Sequence, residues 1–91
     1  MILAIDCGNT NTVFALYSYN KNIRQESCWR IDNDSKRTAD IYYPWLLQML
    51  NLSNFGFKDI TGVCIASVVP ETLLNIKSLI KKYFNVKSYV V

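Results

Sequence analysis

Two runs of consecutive apolar residues, Ile2-Leu3-Ala4-Ile5 and Val63-Cys64-Ile65-Ala66, constrain this chain more than any other feature. Each is too short for a helix, and neither alternates with polar residues as a strand with one wet face would. A strand that is apolar at successive positions calls for cover on both faces, as parallel strands in an α/β sheet have. The segments around them therefore have to supply a sheet and the helices that pack on it.

The first run, Met1 to Ile5, is closed by the turn formers Gly8 and Asn9 and followed by an apolar-rich strand from Val13 to Tyr19. Asn20-Lys21-Asn22 makes a second turn into Ile23 to Ile31, where Ile23, Cys28, Trp29 and Ile31 stud an otherwise polar strand suited to a sheet edge. Asp32 to Arg37 is a polar loop. Thr38 is then placed to cap a helix with Asp40 in its first turn and Ile41, Trp45, Met49 and Leu52 as its apolar stripe. Pro44 cannot donate to the Asp40 carbonyl, a loss of about 3 kcal/mol in a helix interior, so the helix either kinks there or becomes regular there. Ser53 to Asp59 is a loop around Gly56, and Ile60 to Val69 holds the second buried strand. Pro70 opens a helix whose stripe is Leu73, Ile76, Leu79, Ile80, Tyr83 and Phe84, with Glu71 at its start and Lys81 and Lys82 at its end, as the helix dipole favours. Lys87 to Val91 is a last strand.

This order predicts an α/β fold with two helices and a mixed five-stranded sheet ordered 3-2-1-4-5, antiparallel in the meander and parallel among strands 1, 4 and 5. Both crossovers advance in one direction and are right-handed, so both helices fall on one face. The other face is left without cover, which gives the chain the character of one piece of a larger protein.

Ninety-one residues, 51% of them apolar, make one small domain with a marginal core. The absence of His removes Ser/His/Asp and Cys/His nucleophile pairs and every His-ligated metal site. Cys7, Cys28 and Cys64 are widely spaced, with neither a metal knuckle nor a disulfide framework, which suits a reducing cytoplasm. No targeting segment and no stretch of eighteen apolar residues is present, so no membrane is expected. The net charge of +3 neither demands nor excludes an anionic partner; Lys77, Lys81, Lys82 and Lys87 fall in the last fifteen residues, and Lys81 and Lys82 read as a solvated helix face rather than a nucleic-acid patch. Gly8, Gly56 and Gly62 cannot be spaced as a P-loop or a G-x-G-x-x-G fingerprint.

One constellation carries chemistry: Asp6-Cys7-Gly8-Asn9-Thr10-Asn11, between the first two strands. A carboxylate at the end of a buried strand needs a partner such as Mg²⁺ or ordered water. Gly8 and the Asn residues tolerate positive φ, which lets consecutive N–H groups face a phosphate, and Thr10 and Asn11 add side-chain hydrogen bonds. The plainer alternative is an ordinary hairpin turn with an Asx hydrogen bond. Cys7 reads as a small packing residue, since no basic neighbour would lower its pKa. Trp29, Trp45 and Tyr83 read as core, and Arg30, Arg37 and Asp40 as structural rather than catalytic.

The opening ILAIDCGNTNTVFALY resembles the first phosphate motif of the type III pantothenate kinases. Trp29-Arg30-Ile31, Arg37-Thr38-Ala39-Asp40, Trp45-Leu46, Ser67-Val68-Val69-Pro70 and Tyr83-Phe84 continue the likeness in order through the whole chain. These kinases belong to the superfamily of actin, the sugar kinases and the heat-shock ATPases, so the resemblance implies a ribonuclease H-like (actin-like ATPase) lobe. It further implies that Asp6, Cys7, Gly8, Asn9, Thr10, Asn11, Thr12 and Val13 form the ATP motif, with Asp6 holding Mg²⁺ through water.

Phosphorylation of pantothenate from ATP, the first step of coenzyme A synthesis, would then be the activity of the complete enzyme. The family's catalytic Asp, pantothenate contacts and monovalent-cation (K⁺ or NH₄⁺) site are expected downstream of residue 91. Residues 1–91 would thus be an N-terminal lobe, inactive alone, of a cytoplasmic homodimeric two-lobe kinase. Two other readings stay open: a non-catalytic regulator or binding module related to the Bvg accessory factors, and a lobe of another phosphotransferase of the superfamily.

Overall fold

The computed structural model describes residues 1–91. The first apolar run becomes β1 (Ile2–Cys7), paired antiparallel with β2 (Asn11–Asn20), which pairs antiparallel with β3 (Asn22–Asp32). On the other side of β1, β4 (Gly62–Ser67) and then β5 (Lys87–Val90) add in parallel, giving the order β3-β2-β1-β4-β5. The expected mixed sheet is therefore the observed one. Lys21 makes the tight reversal from β2 to β3 with φ 72°. No helix is long and apolar enough to cross a membrane.

The crossovers are α1 (Ala39–Leu52) and α2 (Pro70–Tyr83), and a single 3₁₀ turn at Phe57–Asp59 interrupts the loop expected over residues 53–59. Asp59 closes that turn by accepting the Gly56 N–H at 2.8 Å. Pro70 stands in the first turn of α2, where its missing N–H costs nothing, and Glu71, Lys81 and Lys82 sit at the dipole ends that favour them.

Two expectations for α1 need correction, and one of the two alternatives for Pro44 falls away. Its buried residues are Ala39, Tyr42, Leu46 and Leu50, whereas Ile41 is 54% and Leu52 71% exposed. The predicted stripe was one residue out of phase because α1 is apolar nearly all round, so periodicity alone does not choose its inner face. Thr38 occupies the N-cap position, yet its side chain makes no capping bond, and its carbonyl instead accepts the N–H groups of Ile41 and Tyr42. Pro44 lies inside the helix rather than at its start. It and Asp40, whose carbonyl it leaves without a donor, are both exposed, so water can take the vacant place.

Both helices pack on one face of the sheet. Leu3, Ile5 and Cys7 from β1, Phe14 and Leu16 from β2, and Val63 and Ile65 from β4 join Tyr42, Leu46, Leu50, Ile76, Leu79 and Ile80 in one core. Trp29, Trp45 and Tyr83 pack partly buried against it. A bulge between Leu16 and Tyr17 shifts the β2–β3 register by one residue, so Ile23 pairs with exposed Tyr19 while Trp29 pairs with buried Phe14. That shift explains why odd-numbered apolar residues of β3 reach both faces.

The opposite face is open. Ile2 is 41% exposed, Cys64 is exposed, and Ala4 and Ala66 are half-buried. The two-sided cover that the apolar runs call for is supplied on one side only within these residues.

Candidate functional site

The carboxyl ends of β1 and β4 lie side by side, with Cys7 opposite Ser67. Beyond them the Val68 N–H donates to the Cys7 carbonyl at 3.1 Å, which brings the start of α2 within a few residues of the β1–β2 turn. Ser67 closes the approach to that helix, its hydroxyl bonded to both the N–H and the carbonyl of Val69 at 3.0 Å. A ligand at this end of the sheet would meet loop backbone and a helix N-terminus, the usual place for an anion on a parallel sheet.

Asp6 stands between Val13 of β2 and Ala66 of β4, and alternation puts it on the open face while Ile5 and Cys7 enter the core. It is exposed, which corrects the expectation of a buried carboxylate in need of a partner. Water solvates this charge, and its availability rather than its desolvation makes it a metal ligand candidate. Val13 lies beside it, half-buried, and Arg30 is the next residue along the same row, exposed on the edge strand.

The turn itself is held by one backbone bond, from the Gly8 N–H to the Asn11 carbonyl at 2.9 Å. No glycine has positive φ, and neither do Asn9 and Asn11, so the positive-φ route to an outward-facing loop is not the one used. Gly8 matters for space instead: a Cβ there would lie 3.2 Å from the Asn11 carbonyl oxygen, a contact the turn bond leaves little room to relieve. The N–H groups of Asn9 and Thr10 find no protein acceptor, and both residues are exposed. Asn11 donates its side-chain amide to the Thr10 hydroxyl at 3.2 Å.

Two residues of the motif face inward. Cys7 is fully buried, and burial pushes its thiol pKa up in spite of Thr12 and Ser67 nearby, so it packs and is not poised as a nucleophile. Thr12 is equally buried, and its hydroxyl donates to Asn33 Oδ1 at 2.7 Å. Asn33 also donates its backbone N–H to the Thr10 carbonyl at 3.0 Å and its side-chain amide to the Gly8 carbonyl. Sequence reasoning passed over Asn33 as one polar residue in a loop. The signal that marks it is positional, an Asn directly after the strand that pairs with the motif strand.

The other charged residues of the motifs face elsewhere. Arg37 donates to the Asp32 carbonyl, pairs with the Asp32 carboxylate at 3.4 Å and lies over the Tyr42 ring. Asp40 accepts from Lys82 at 2.6 Å and from the Tyr83 hydroxyl, tying the start of α1 to the end of α2. Across the chain no three His, Cys, Asp or Glu side chains converge on a point that could hold a metal by themselves.

Residues 2–91 match the sequence profile of the type III pantothenate kinases, a span that includes Asp6–Val13, Arg37–Asp40 and Ser67–Pro70. The chain belongs to the type III pantothenate kinase family. It is 45% identical over 91 residues to the type III pantothenate kinase of Maricaulis maris and 44% identical over 91 residues to that of Caulobacter vibrioides, covering all of this chain and 34% of each relative. The type III pantothenate kinase of Zymomonas mobilis is 47% identical over 90 residues, which are 99% of this chain and 32% of the relative. The chain thus spans about a third of the length of the curated relatives it matches. Its mixed sheet with two helices agrees with the actin-like ATPase lobe of a pantothenate kinase.

Proposed function

We propose that this chain forms the first phosphate-binding lobe of a two-lobe kinase that transfers a phosphoryl group from ATP to pantothenate, the opening step of coenzyme A synthesis. The observation that carries this reading is the hairpin from Asp6 to Val13 at the carboxyl ends of the parallel β1–β4 pair, in a chain of this family. Phosphoryl transfer asks a protein mainly for positioning and charge neutralisation. The free N–H groups of Asn9 and Thr10, with the side chains of Thr10 and Asn11, would hold phosphate oxygens, helped by the positive end of α2. Cys7 and Thr12 anchor the hairpin in the core, and Val13 lines the open face beside Asp6.

A single exposed carboxylate without a protein cage fits Mg²⁺, which keeps most of its water and arrives on phosphates with one or two carboxylates to meet it. Asp6 would hold that ion, which would neutralise charge on the transferring group. The carboxylate that orients the pantothenate hydroxyl, the pantothenate contacts and a K⁺ or NH₄⁺ site are assigned to the second lobe, and the whole enzyme to a cytoplasmic homodimer.

Pantothenate-dependent ADP release tests the reading. The full-length protein that contains residues 1–91 is expected to show it, and the 91-residue chain by itself to show none. A full-length protein that binds MgATP but never phosphorylates pantothenate would overturn the substrate assignment.

A further inference from the structure

The structure assigns to Asn33 the role of a positioning residue that aims the hairpin toward phosphate, an inference that rests on the phosphate-binding reading of that hairpin. Asn33 follows directly after β3 and touches the hairpin at three successive alternate residues: the Gly8 carbonyl, the Thr10 carbonyl and the Thr12 hydroxyl. No other side chain bonds to the backbone of residues 8–11. The orientation of its amide follows from its neighbours. A carbonyl can only accept, so Nδ2 must face Gly8, and Oδ1 is left to accept from Thr12.

The geometry of the peptide bond turns this contact into an effect on the ligand side. The Gly8 carbonyl and the Asn9 N–H belong to one planar trans peptide and point in opposite directions. Drawing the carbonyl onto Asn33 therefore turns the Asn9 N–H away from the brace, toward the exposed side of the loop where it has no protein acceptor. The loop that carries Asn33 is itself fixed, by the Arg37 N–H on the Asp34 carbonyl at 3.0 Å, the Lys36 N–H on Asp34 Oδ1 at 2.9 Å and the Arg37 side chain on the Asp32 carbonyl.

Neither aspartate nor alanine supplies both side-chain contacts. Aspartate at this position would keep the acceptor for Thr12 but set a carboxylate oxygen against the Gly8 carbonyl. Alanine would remove both side-chain bonds and leave the Thr12 hydroxyl buried without a partner.

The test uses Asn33→Ala and Asn33→Asp in the full-length protein that contains residues 1–91, with MgATP and pantothenate varied separately. We expect kcat/KM for MgATP to fall about 10- to 100-fold, the scale of a misaimed contact, while KM for pantothenate stays within about twofold. A residue needed only for folding would shift both substrates together or neither. Either of those results, in protein that melts cooperatively, overturns the role. Asp6→Asn separates this inference from the reading beneath it: if Asp6→Asn loses turnover while both Asn33 variants retain normal MgATP kinetics, only the Asn33 role fails. If all three behave as the unaltered protein does, the hairpin is not the phosphate site and both fall. Should neither variant fold, amide exchange in the unaltered protein decides. Slow exchange of the Asn33 side-chain amide, slowed further by MgATP, supports the brace, and fast exchange indifferent to MgATP overturns it.

Discussion

Ile5 and Asp6 are neighbours in β1, yet one is part of a core shared with both helices and the other is exposed on a sheet face that nothing in these residues covers. The same division runs across the sheet: Phe14, Leu16, Val63 and Ile65 on the covered face, Val13, Ala15, Cys64 and Ala66 on the open one. Because a strand has a period of two, each strand can devote one face to stability and leave the other to chemistry or contact. The covered face should thus govern folding with little direct effect on a ligand, and Asp6 on the open face should govern activity with little effect on folding.

The largest effect expected from this division is on the covered side. Phe14 is fully buried, edge-on to Trp45 and tilted against Tyr42 at centroid distances of 5.2 and 6.1 Å. Phe14→Ala should cost about 3–5 kcal/mol, enough to unfold much of a domain this small at ambient temperature. Urea titration followed by far-ultraviolet circular dichroism measures it, and a loss below about 1 kcal/mol would mean that the helices do not pack as described. Asp6→Asn is the matching change on the open side. In the full-length protein, turnover should drop about 100-fold, the scale of removing one positioned charge-stabilising group, with stability unchanged within about 0.5 kcal/mol. Wild-type turnover at limiting Mg²⁺ would rule out a metal role for Asp6.

What the sequence made legible follows the same division. Strand order, helix count and the bare face could be derived because they rest on long apolar patterns and on the handedness of crossovers, neither of which depends on atomic detail. The inner face of α1 was not legible, since Tyr42, Leu46 and Leu50 compete with Ile41, Trp45 and Met49 in a helix with little polar contrast. At the site, the sequence marks the Asp6–Val13 hairpin as the stretch proposed above to meet phosphate, but the internal bonding of that hairpin was not legible. Exposure of Asp6 depends on what covers the sheet, and the part played by Asn33 depends on a bulge that sets where β3 ends beside β2. Gly8 was expected to serve through positive φ and instead serves through space beside the Asn11 carbonyl.

Thiol chemistry sharpens the comparison of faces at a smaller scale. Cys28, Ala15, Ala4 and Cys64 lie in one row across four strands of the open face, with both cysteines exposed, whereas Cys7 is buried with its pKa raised by burial. In the 91-residue chain two thiols should react rapidly with a disulfide reagent, and the third only on unfolding. Three fast thiols would show that the helix face opens readily. If Cys64 reacts in this chain but is protected in the full-length protein, the open face is covered by other parts of that protein.

The smallest effect expected lies at the exposed link between the two helices, far from the contrast in burial. Asp40 is held below the usual carboxylate range, first by its bond to Lys82 and then by that to Tyr83, and both partners are pushed above their ordinary values, in each case chiefly by Asp40. A carboxylate with a depressed pKa in the folded state adds stability above its unfolded value and loses it as pH falls through the folded one. The acid side of the stability profile should therefore carry the Asp40 contribution at pH values below about 4. For Lys82 and Tyr83 the sign is opposite: their folded pKa values are raised, so their contribution is complete below the unfolded values and fades as pH climbs past about 10. Asp40→Asn should flatten both limbs at once while leaving the neutral plateau little changed, because the pair is exposed and screened by water. Thermal melts at low and high salt across the pH range check this, and added salt should shrink the difference between the two proteins. A change confined to the acid limb would leave Lys82 and Tyr83 uncoupled from Asp40, and a large loss at neutral pH would mean that the link carries packing between α1 and α2 through the Tyr43–Tyr83 stack rather than charge alone.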